Sequence, residues 1–461
     1  MRYNKRNMSK KEISLEDIAS LCKRRGFIFQ GSEIYGGLAG TWDYGPLGVQ
    51  LKRNITDLWW KTFVENRADM YGIDAAILMN QKVWQASGHV GGFHDPLVED
   101  LKTKKRYRAD HLLEDAGIEG VTAMSLEQMD AVIKEKNIKS PDGNALGDVR
   151  QFNMMFKTQI GATDDATSVS YLRPETAQGM FVNFKNVIDS FYPDIPFGMG
   201  QIGKAFRNEI SPRDFIFRVR EFEQMEIEYF VHPDSWKEHF DYWLDQQKQF
   251  LLALGLPPEK IHPVDVPKED RAHYSKWSVD TEFDFPFGQK ELLGCAYRTD
   301  HDLNAHQKDS GKSMEYRPKD GSAPFVPHVI EPTFGLDRVL LAVLSSAYTE
   351  DELNGEKRTY LKLAKHLAPV KAAVSPLLKN KPELVAKAQE VYQMLQANLG
   401  AVTWDDNSNV GKRYRRSDEI GVPAHITIDF QTLEDGTVTV RDRDTAQQTR
   451  VKIEDLTQQL R

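Results

Sequence analysis

At 461 residues the chain is longer than one hydrophobic core serves, so two or three domains are expected, with ample chain for a sizeable core. A formal net charge of −8 argues against indiscriminate nucleic-acid binding and leaves any such contact to local basic patches. Only two cysteines are present, Cys22 and Cys295, in no metal-ligand spacing, which argues against a disulfide framework or a cysteine zinc site.

In chain order, the polar, basic opening MRYNKRNMSKKE lacks the apolar core of a signal peptide, and no run approaches a membrane span. Residues 1–14 therefore read as a disordered lead on a cytoplasmic protein. Residues 15–96 begin with a helix and a turn-rich stretch that includes GGLAG. From Leu47, just after Pro46, a helix is expected, with apolar residues at Leu47, Val49, Leu51, Ile55, Leu58, Trp59 and Phe63, close to a 3.6 period. Residues 97–160 are more polar, contain the loop-like SPDGNALGD, and read as an insertion. Over residues 161–350, from a sheet resuming near Tyr171, the mixture of short strands and helices suits an antiparallel sheet with helices against it. Cys295 falls there in an apolar strand, as a packing residue.

Residues 362–461 alternate differently and suggest a separate α/β domain, making the whole chain α+β. Strands are expected at APVKAAVSP, near AVTW, and at AHITIDF and TVTVRDR, with helices over 382–399 and around 411–420. This tail carries 15 Lys and Arg against 13 Asp and Glu, so it is the less acidic end. Its densest basic run, GKRYRR at 411–416, sets Tyr414 between Arg413 and Arg415 and reads either as a solvated helix face or as an RNA-backbone contact.

The chemistry concentrates between Phe206 and Arg338, in FRNE (206–209), FRVREF (217–222) and GLDR (335–338). The first two segments read as strands joined by a loop through ISPRDFI. On strands, Arg207 and Glu209 would share one face, and Arg218, Arg220, Phe222, Gln224 and Glu226 another. If both faces line one cleft, arginines take phosphate oxygens, an aromatic ring stacks on a base and a carboxylate accepts from an exocyclic amine, which together would bind ATP. Gly335 would let the backbone approach a nucleotide, with Arg338 reaching its outer phosphate. Each fragment alone is equally a solvated strand face. Together they place several arginines on apolar segments, where such charges require an anionic partner.

These three segments resemble the motifs of the class II aminoacyl-tRNA synthetases, and the flanking residues resemble the homodimeric, bacterial-like glycyl-tRNA synthetases in particular. The similarity runs through WDYGPLG (42–48), ASGHVGGFHDP (86–96), YRADHLL (107–113), YLRPETAQG (171–179), REFEQMEIE (220–228), ELLGCAYRTDHDL (291–303) and VIEPTFGLDR (329–338). It implies a six-stranded antiparallel catalytic domain, a dimer interface around the helix after Pro46, and a C-terminal anticodon-binding domain, with Arg441 and Arg443 as candidates for contacting splayed bases. ATP, Mg²⁺, glycine, tRNA(Gly) and a second copy of the chain are the implied ligands and partners. No segment reads as an editing domain.

Residue by residue, the resemblance implies an ATP site of Arg207, Asn208, Glu209, Phe217, Arg218, Val219, Arg220, Glu221, Phe222, Glu291, Leu292, Gly335, Leu336, Asp337 and Arg338. Arg207, Glu209, Arg218 and Arg338 carry the catalysis, and Glu291 stands as the Mg²⁺ carboxylate, one or two such ligands being what Mg²⁺ bridging phosphates requires. The implied glycine site comprises Arg108, Glu175, Phe222, Glu223, Gln224, Met225, Glu226, Glu331, Pro332, Thr333, Phe334 and Gly335. Glycine offers no side chain to grip, so selection has to exclude larger ones. Carboxylates such as Glu175 and Glu226 would fix the ammonium so that any Cβ meets a wall. The family has serine where this chain has Thr333, which keeps the hydroxyl and adds a methyl. Two further readings stand: a synthetase-like nucleic-acid-binding protein without aminoacylation, and a class II synthetase for another small amino acid.

Overall fold

The computed structural model describes residues 13–121, 124–162, 168–353 and 355–460. The expected lead over 1–14 lies outside the described residues except for its last two. Helix α1 (Leu15–Arg25) starts at a reciprocal Ser14–Asp17 capping box and stops at Gly26, whose φ of 76° suits a residue without Cβ. Helix α2 (Pro46–Trp60) begins on its proline, where no backbone donor is lost. Its stripe of Leu51, Ile55 and Trp59, continued by Phe63, is buried in the chain's own core, whereas Val49 is 45% exposed.

The centre is a seven-stranded sheet of β1 (Met70–Gly72), β2 (Phe197–Phe206), β3 (Glu221–Val231), β4 (Ile261–Asp265), β5 (Trp277–Phe285), β6 (Gly288–Thr299) and β7 (His328–Gly335). The spatial order is β4-β5-β6-β7-β3-β2-β1, antiparallel throughout except that β1 runs parallel to β2. The six expected antiparallel strands thus gain a parallel edge strand. The sheet also resumes at Phe197 and not near Tyr171, because Val169–Tyr171 pairs with Lys157–Gln159 in a ribbon of its own.

Strand parity divides the two faces. Met225, Ile227, Tyr229 and Val231 of β3 join the main core beneath α2, α4 (Trp236–Ala253) and α6 (Leu336–Ala347). The alternate residues turn to the other side, where Phe230 packs with Phe181 and Phe184 of α3 (Ala177–Phe191) and with Leu303 of α5 (His301–Ser310). One end of that second face is filled by this apolar cluster; the other remains open as a cleft.

Between β1 and β2, strands His94–Glu99, Arg106–Arg108 and Arg150–Asn153 form a small antiparallel sheet. Its own core, including Val98, Leu113, Met129 and Ile133, is closed by helices Ala109–Asp115 and Leu126–Glu135.

Near the C-terminus, β8 (Ala372–Pro376), β9 (Val402–Trp404), β10 (Ala424–Ile428), β11 (Thr437–Asp442) and β12 (Gln448–Lys452) are ordered β9-β8-β10-β11-β12. The first three are parallel and the last two antiparallel. Helix α7 (Pro382–Leu399) packs Leu384, Val391 and Leu395 on Val374, Ile426 and Val438.

The basic run lies on α8 (Val410–Glu419) and is largely consumed within the fold. Arg413 is buried against the carbonyls of Pro376, Asp406 and Ser408, Arg416 pairs with Asp405, and Arg415 with Glu356. The expectation for Arg441 and Arg443 is corrected as well, since they are 3% and 2% exposed. Arg441 forms a two-pronged pair with Asp418, and Arg443 donates to the carbonyls of Gly421 and Leu363. A buried carboxylate such as Asp418 requires cations, and Arg441 serves that need, while Arg443 is spent on backbone carbonyls and Asp444.

Candidate active site

The cleft has a volume of about 340 Å³. Its walls come from β3, β5, β6 and β7, the loop 207–220 between β2 and β3, and the loop 266–276. The two arginine segments are therefore not strands as expected: the paired hairpin ends at Phe206 and restarts at Glu221. Arg207 N donates to Arg220 O, and Arg213 bridges to Arg218 around a tip where Asp214 and Phe215 take positive φ. The GGLAG stretch is a turn that buttresses this loop, because Arg220 N donates to Gly40 O and its guanidinium to Ala39 O and Glu209 O.

Arg207, Glu209, Phe217, Arg218, Val219, Phe222, Glu291, Leu292, Gly335, Asp337 and Arg338 line the cleft, together with Glu175, Glu223, Gln224, Glu226, Glu331 and Thr333. The Arg207 guanidinium lies 5.3 Å from the Phe222 ring centre and donates to Pro174 O at 3.1 Å. Arg338 sits 4.4 Å over the Phe217 ring and 2.9 Å from a Glu291 carboxylate oxygen. Against the desolvation of its setting in the cleft, the Arg338 guanidinium holds the half-exposed Glu291 carboxyl below its ordinary range. Arg218 is 4.0 Å from Glu209, one of whose buried oxygens has no partner. Burial depresses Arg218, and Arg108, Arg213 and Arg338 add to the effect against Glu209. This end of the cleft gathers Arg207, Arg218 and Arg338 around Glu209, Glu291 and Asp280, the last raised to about 7 by burial and by Glu291, so the arginines keep capacity for an anionic ligand.

The inner end is acidic. Glu226 accepts from Thr333 Oγ1 at 2.9 Å, from Gln224 at 3.3 Å and from Thr176 Oγ1 in a short bond. Glu175 is 3.3 Å from His89, accepts from Gln178 at 3.0 Å and lies 3.9 Å from Arg298. Burial opposes ionisation of Glu175, yet His89 and Arg298 hold its carboxyl far below the ordinary range. Glu226, with burial and Glu175 both acting against its charge, is raised. Arg298 anchors the floor through two bonds to Asp302, at 2.7 and 2.8 Å, and a short one to Glu331, while the Tyr274 ring stacks over it at 3.7 Å.

Several expected residues stand elsewhere. Met225, Phe334 and Leu336 are in the main core and Pro332 is buried off the cleft wall, all by strand or helix parity. Glu221 pairs with Lys204 off the wall, whereas Glu223 reaches the wall but is paired with Lys52 of α2 at 2.5 Å. Arg220 is bound to loop carbonyls as above, and Asn208, whose N–H donates to Met154 O, does not line the cleft. Arg108 lies outside the wall, held by Asp95 and Asp110. Asp337 reaches the wall but is occupied by Tyr44 Oη and Glu223 N–H. Conversely, His89, Gln178, Tyr274, Arg298 and Asp302 were not singled out from sequence. A signal existed for two of them, since an arginine ending the apolar strand ELLGCAYR with an aspartate four residues on is a buried-pair pattern. Arg173 was also unassigned. It donates to the carbonyls of Lys204 and Ala75, and a Cβ on Gly203 would lie 2.2 Å from it, so β2 requires glycine there.

A family model for the tRNA synthetase class II core domain (G, H, P, S and T) matches residues 156–347, and one for an anticodon binding domain matches 371–461. The chain is 51% identical to the glycine–tRNA ligase of Clostridium acetobutylicum over 97% of its length and 98% of the relative's. It belongs to the glycine–tRNA ligase family. The family's enzyme from Clostridium tetani is 52% identical over 96% of this chain and 97% of its own, and that of Bacillus cereus 50% over the same shares. The class II core match covers the hairpin loop, the Arg298 floor and the GLDR helix start, so the cleft lies within the part of the chain that matches the class II synthetase core.

Proposed function

We propose that the chain is a glycine–tRNA ligase that activates glycine with ATP, releases pyrophosphate, and transfers glycine to the 3′-terminal adenosine of tRNA(Gly). The observation that carries this reading is a single cleft that is cationic at Arg207, Arg218 and Arg338 and carboxylate-lined at Glu175, Glu226 and Glu331. A zwitterion fits across that polarity, its carboxylate toward Arg207 and its ammonium toward Glu226.

Activation needs a carboxylate oxygen to attack the α-phosphorus in line, so positioning and charge neutralisation suffice and no protein nucleophile is required. Arg207 meets both the glycine carboxylate and the α-phosphate. Phe222 stacks on adenine, Glu209 accepts from the adenine amine with its unpartnered oxygen, and Arg218 and Arg338 hold the outer phosphates. Glu291 is an accessible carboxylate at the Arg338 end, and it would hold a Mg²⁺, a hard cation that one or two carboxylates suffice to bind beside phosphates. Bound there, Mg²⁺ supplies further neutralisation of phosphate charge.

The implied homodimer draws support from the turn-rich stretch before α2, where Ile34 and Tyr35 are 89% and 88% exposed beside exposed Leu38. No helix among the described residues is long and apolar enough to cross a membrane, in keeping with a cytoplasmic site of action. The test is exchange of labelled pyrophosphate into ATP with glycine, alanine and serine. Exchange with glycine alone, abolished by Arg207→Ala, is expected; a folded protein with no exchange overturns the reading in favour of a nucleic-acid-binding role.

A further inference from the structure

One buried acid in this region has no role in the chemistry above. Glu228 is 0% exposed, and neither carboxyl oxygen has a hydrogen-bond partner among the described residues. It follows Glu226 by two residues on β3 and so shares its face, at the border between the acidic pocket and the apolar cluster around Phe181, Phe184 and Phe230. The antiparallel register that sets Glu226 opposite Thr333 and Tyr229 opposite Ile330 brings Glu228 level with Glu331 on β7.

The charges facing Glu228 come from every neighbouring element. They are Glu226 on its own strand, Glu331 on β7, Arg298 on β6 and Asp302 on α5. Beyond them, His306 of α5 contacts Gln178 of α3, which bonds Glu175, itself joined to His89, and Tyr274 covers Arg298. Arg298 is the guanidinium at the centre of five carboxyl groups, and its donors go to Asp302 and Glu331, leaving Glu228 without a cation in bonding reach. An unpaired buried carboxylate there would cost several kcal/mol, on the order of the penalty for stranding an ion. Burial and then Glu331 raise the Glu228 carboxyl well above its ordinary range. Burial raises the Glu331 carboxyl as well, to about 8, against the pull of the Arg298 guanidinium bonded to it, so of the two acids Glu331 is the one that ionises first.

We propose that Glu228 is a positioning residue of the amino-acid pocket, a neutral acid whose O–H donates across the strand pair to Glu331 and thereby holds Glu331 and Arg298 in place beneath the ammonium site. The inference rests on the reading of this pocket as the glycine ammonium site. It gives Glu331 a donor on the side away from Arg298 and leaves the pocket with one fewer negative charge than its carboxyl count suggests.

The test is glycine-dependent pyrophosphate exchange by the full chain, with KM for glycine and for ATP measured separately across pH. Glu228→Ala is expected to raise the glycine KM about tenfold, the worth of a hydrogen bond to a charged group, without moving the ATP KM. Glu228→Gln is expected to recover most of that loss, because the amide N–H also donates, and to lack the component of the alkaline rise in glycine KM that wild type shows as Glu228 ionises. A Gln variant as impaired as the Ala variant, or a pH profile superimposed on wild type, overturns the proposal. Should Glu228→Ala not fold, infrared difference spectra of wild type against Glu228→Gln at neutral pH decide it: a protonated-acid carbonyl band lost in the variant supports a neutral Glu228, and no such band overturns it. Glu226→Gln separates the two levels of inference. A raised glycine KM there upholds the pocket whatever Glu228 does, whereas an unchanged one removes the pocket reading itself.

Discussion

Thr333 Oγ1 on β7 donates to Glu226 Oε1 on β3 at 2.9 Å, and the two residues are direct cross-strand partners. The hydroxyl that distinguishes threonine from an apolar isostere is thus spent on orienting the carboxylate assigned to the substrate ammonium. The additional methyl group is carried on the same Cβ, at the cleft wall.

Removing both should loosen the pocket. Thr333→Ala is expected to lower kcat/KM for glycine about tenfold, from loss of a hydrogen bond to a charged group. It should also narrow discrimination against alanine several-fold, since excluding one methyl by contact is worth about 1–3 kcal/mol. Pyrophosphate exchange with both amino acids measures the ratio, and an unchanged glycine-to-alanine ratio would sink the hypothesis.

Arg207→Ala removes the cation placed between the glycine carboxylate and the α-phosphate. Loss of one preorganised charge-stabilising donor costs about 10²–10³ in kcat. Exchange should fall by that factor while the fold, read by circular dichroism, is retained, because among the described residues Arg207 makes one side-chain hydrogen bond, to Pro174 O. A loss confined to KM for ATP would assign Arg207 to ground-state binding alone.

Glu291 and Arg338 form a pair at 2.9 Å that ATP and its metal would rearrange. Glu291→Gln is expected to raise the Mg²⁺ concentration needed for half-maximal exchange by about tenfold, with glycine KM unmoved. Titrating Mg²⁺ at saturating ATP is the measurement, and an unshifted midpoint would remove Glu291 from the metal site.

The parts legible in sequence were those where period and chemistry coincide. The α2 stripe of Leu51, Ile55 and Trp59 and the span of α7 follow directly from apolar spacing. Phe222, Gln224 and Glu226 fall on one face because they lie on β3, whereas Arg207, Glu209 and Arg218 meet the cleft from a loop whose path depends on Gly40 and Pro174 carbonyl oxygens far away in sequence. Arg298 and Asp302 went unassigned because their role is to balance carboxylates brought in from other strands. Tyr274 lies on a loop with no periodicity at all. Arg441 was misread for a related reason: a basic residue on a polar strand looks solvated until Asp418 is placed against it.

His425 provides a pH test remote from the cleft. It is buried between Ser375 Oγ at 2.8 Å and Ser417 Oγ at 2.9 Å, and burial, with Arg441 adding to it, lowers it to about 3. A depressed histidine contributes stability that is present above its unfolded value of about 6.5 and is lost as pH falls toward the folded value. Between about pH 7.5 and about pH 5 the C-terminal domain should therefore lose about 2 kcal/mol from this group. Urea unfolding followed by Trp404 fluorescence, in wild type and His425→Asn, checks it; equal acid sensitivity in the two would refute the assignment.

Arg441 and Asp418 form a buried ion pair of the C-terminal domain. Asp418 is 1% exposed at its side chain and is bound by Arg441 through both guanidinium nitrogens and by Arg358 from the hairpin that precedes the domain. Arg358 also pairs with Asp351, so this network ties the hairpin Tyr348–Leu361 to α8 and β11. Deleting Arg441 leaves Asp418 with one cation in a dry interior, and breaking a buried pair in this way costs about 3–5 kcal/mol. Arg441→Ala should accordingly lower the unfolding midpoint of the C-terminal domain and weaken tRNA charging only in proportion to that unfolding. Asp418→Asn combined with Arg441→Met, which removes both charges, should recover much of the stability. A stable Arg441→Ala protein with a selective loss of tRNA affinity would restore Arg441 to the RNA-facing role that its buried position denies it.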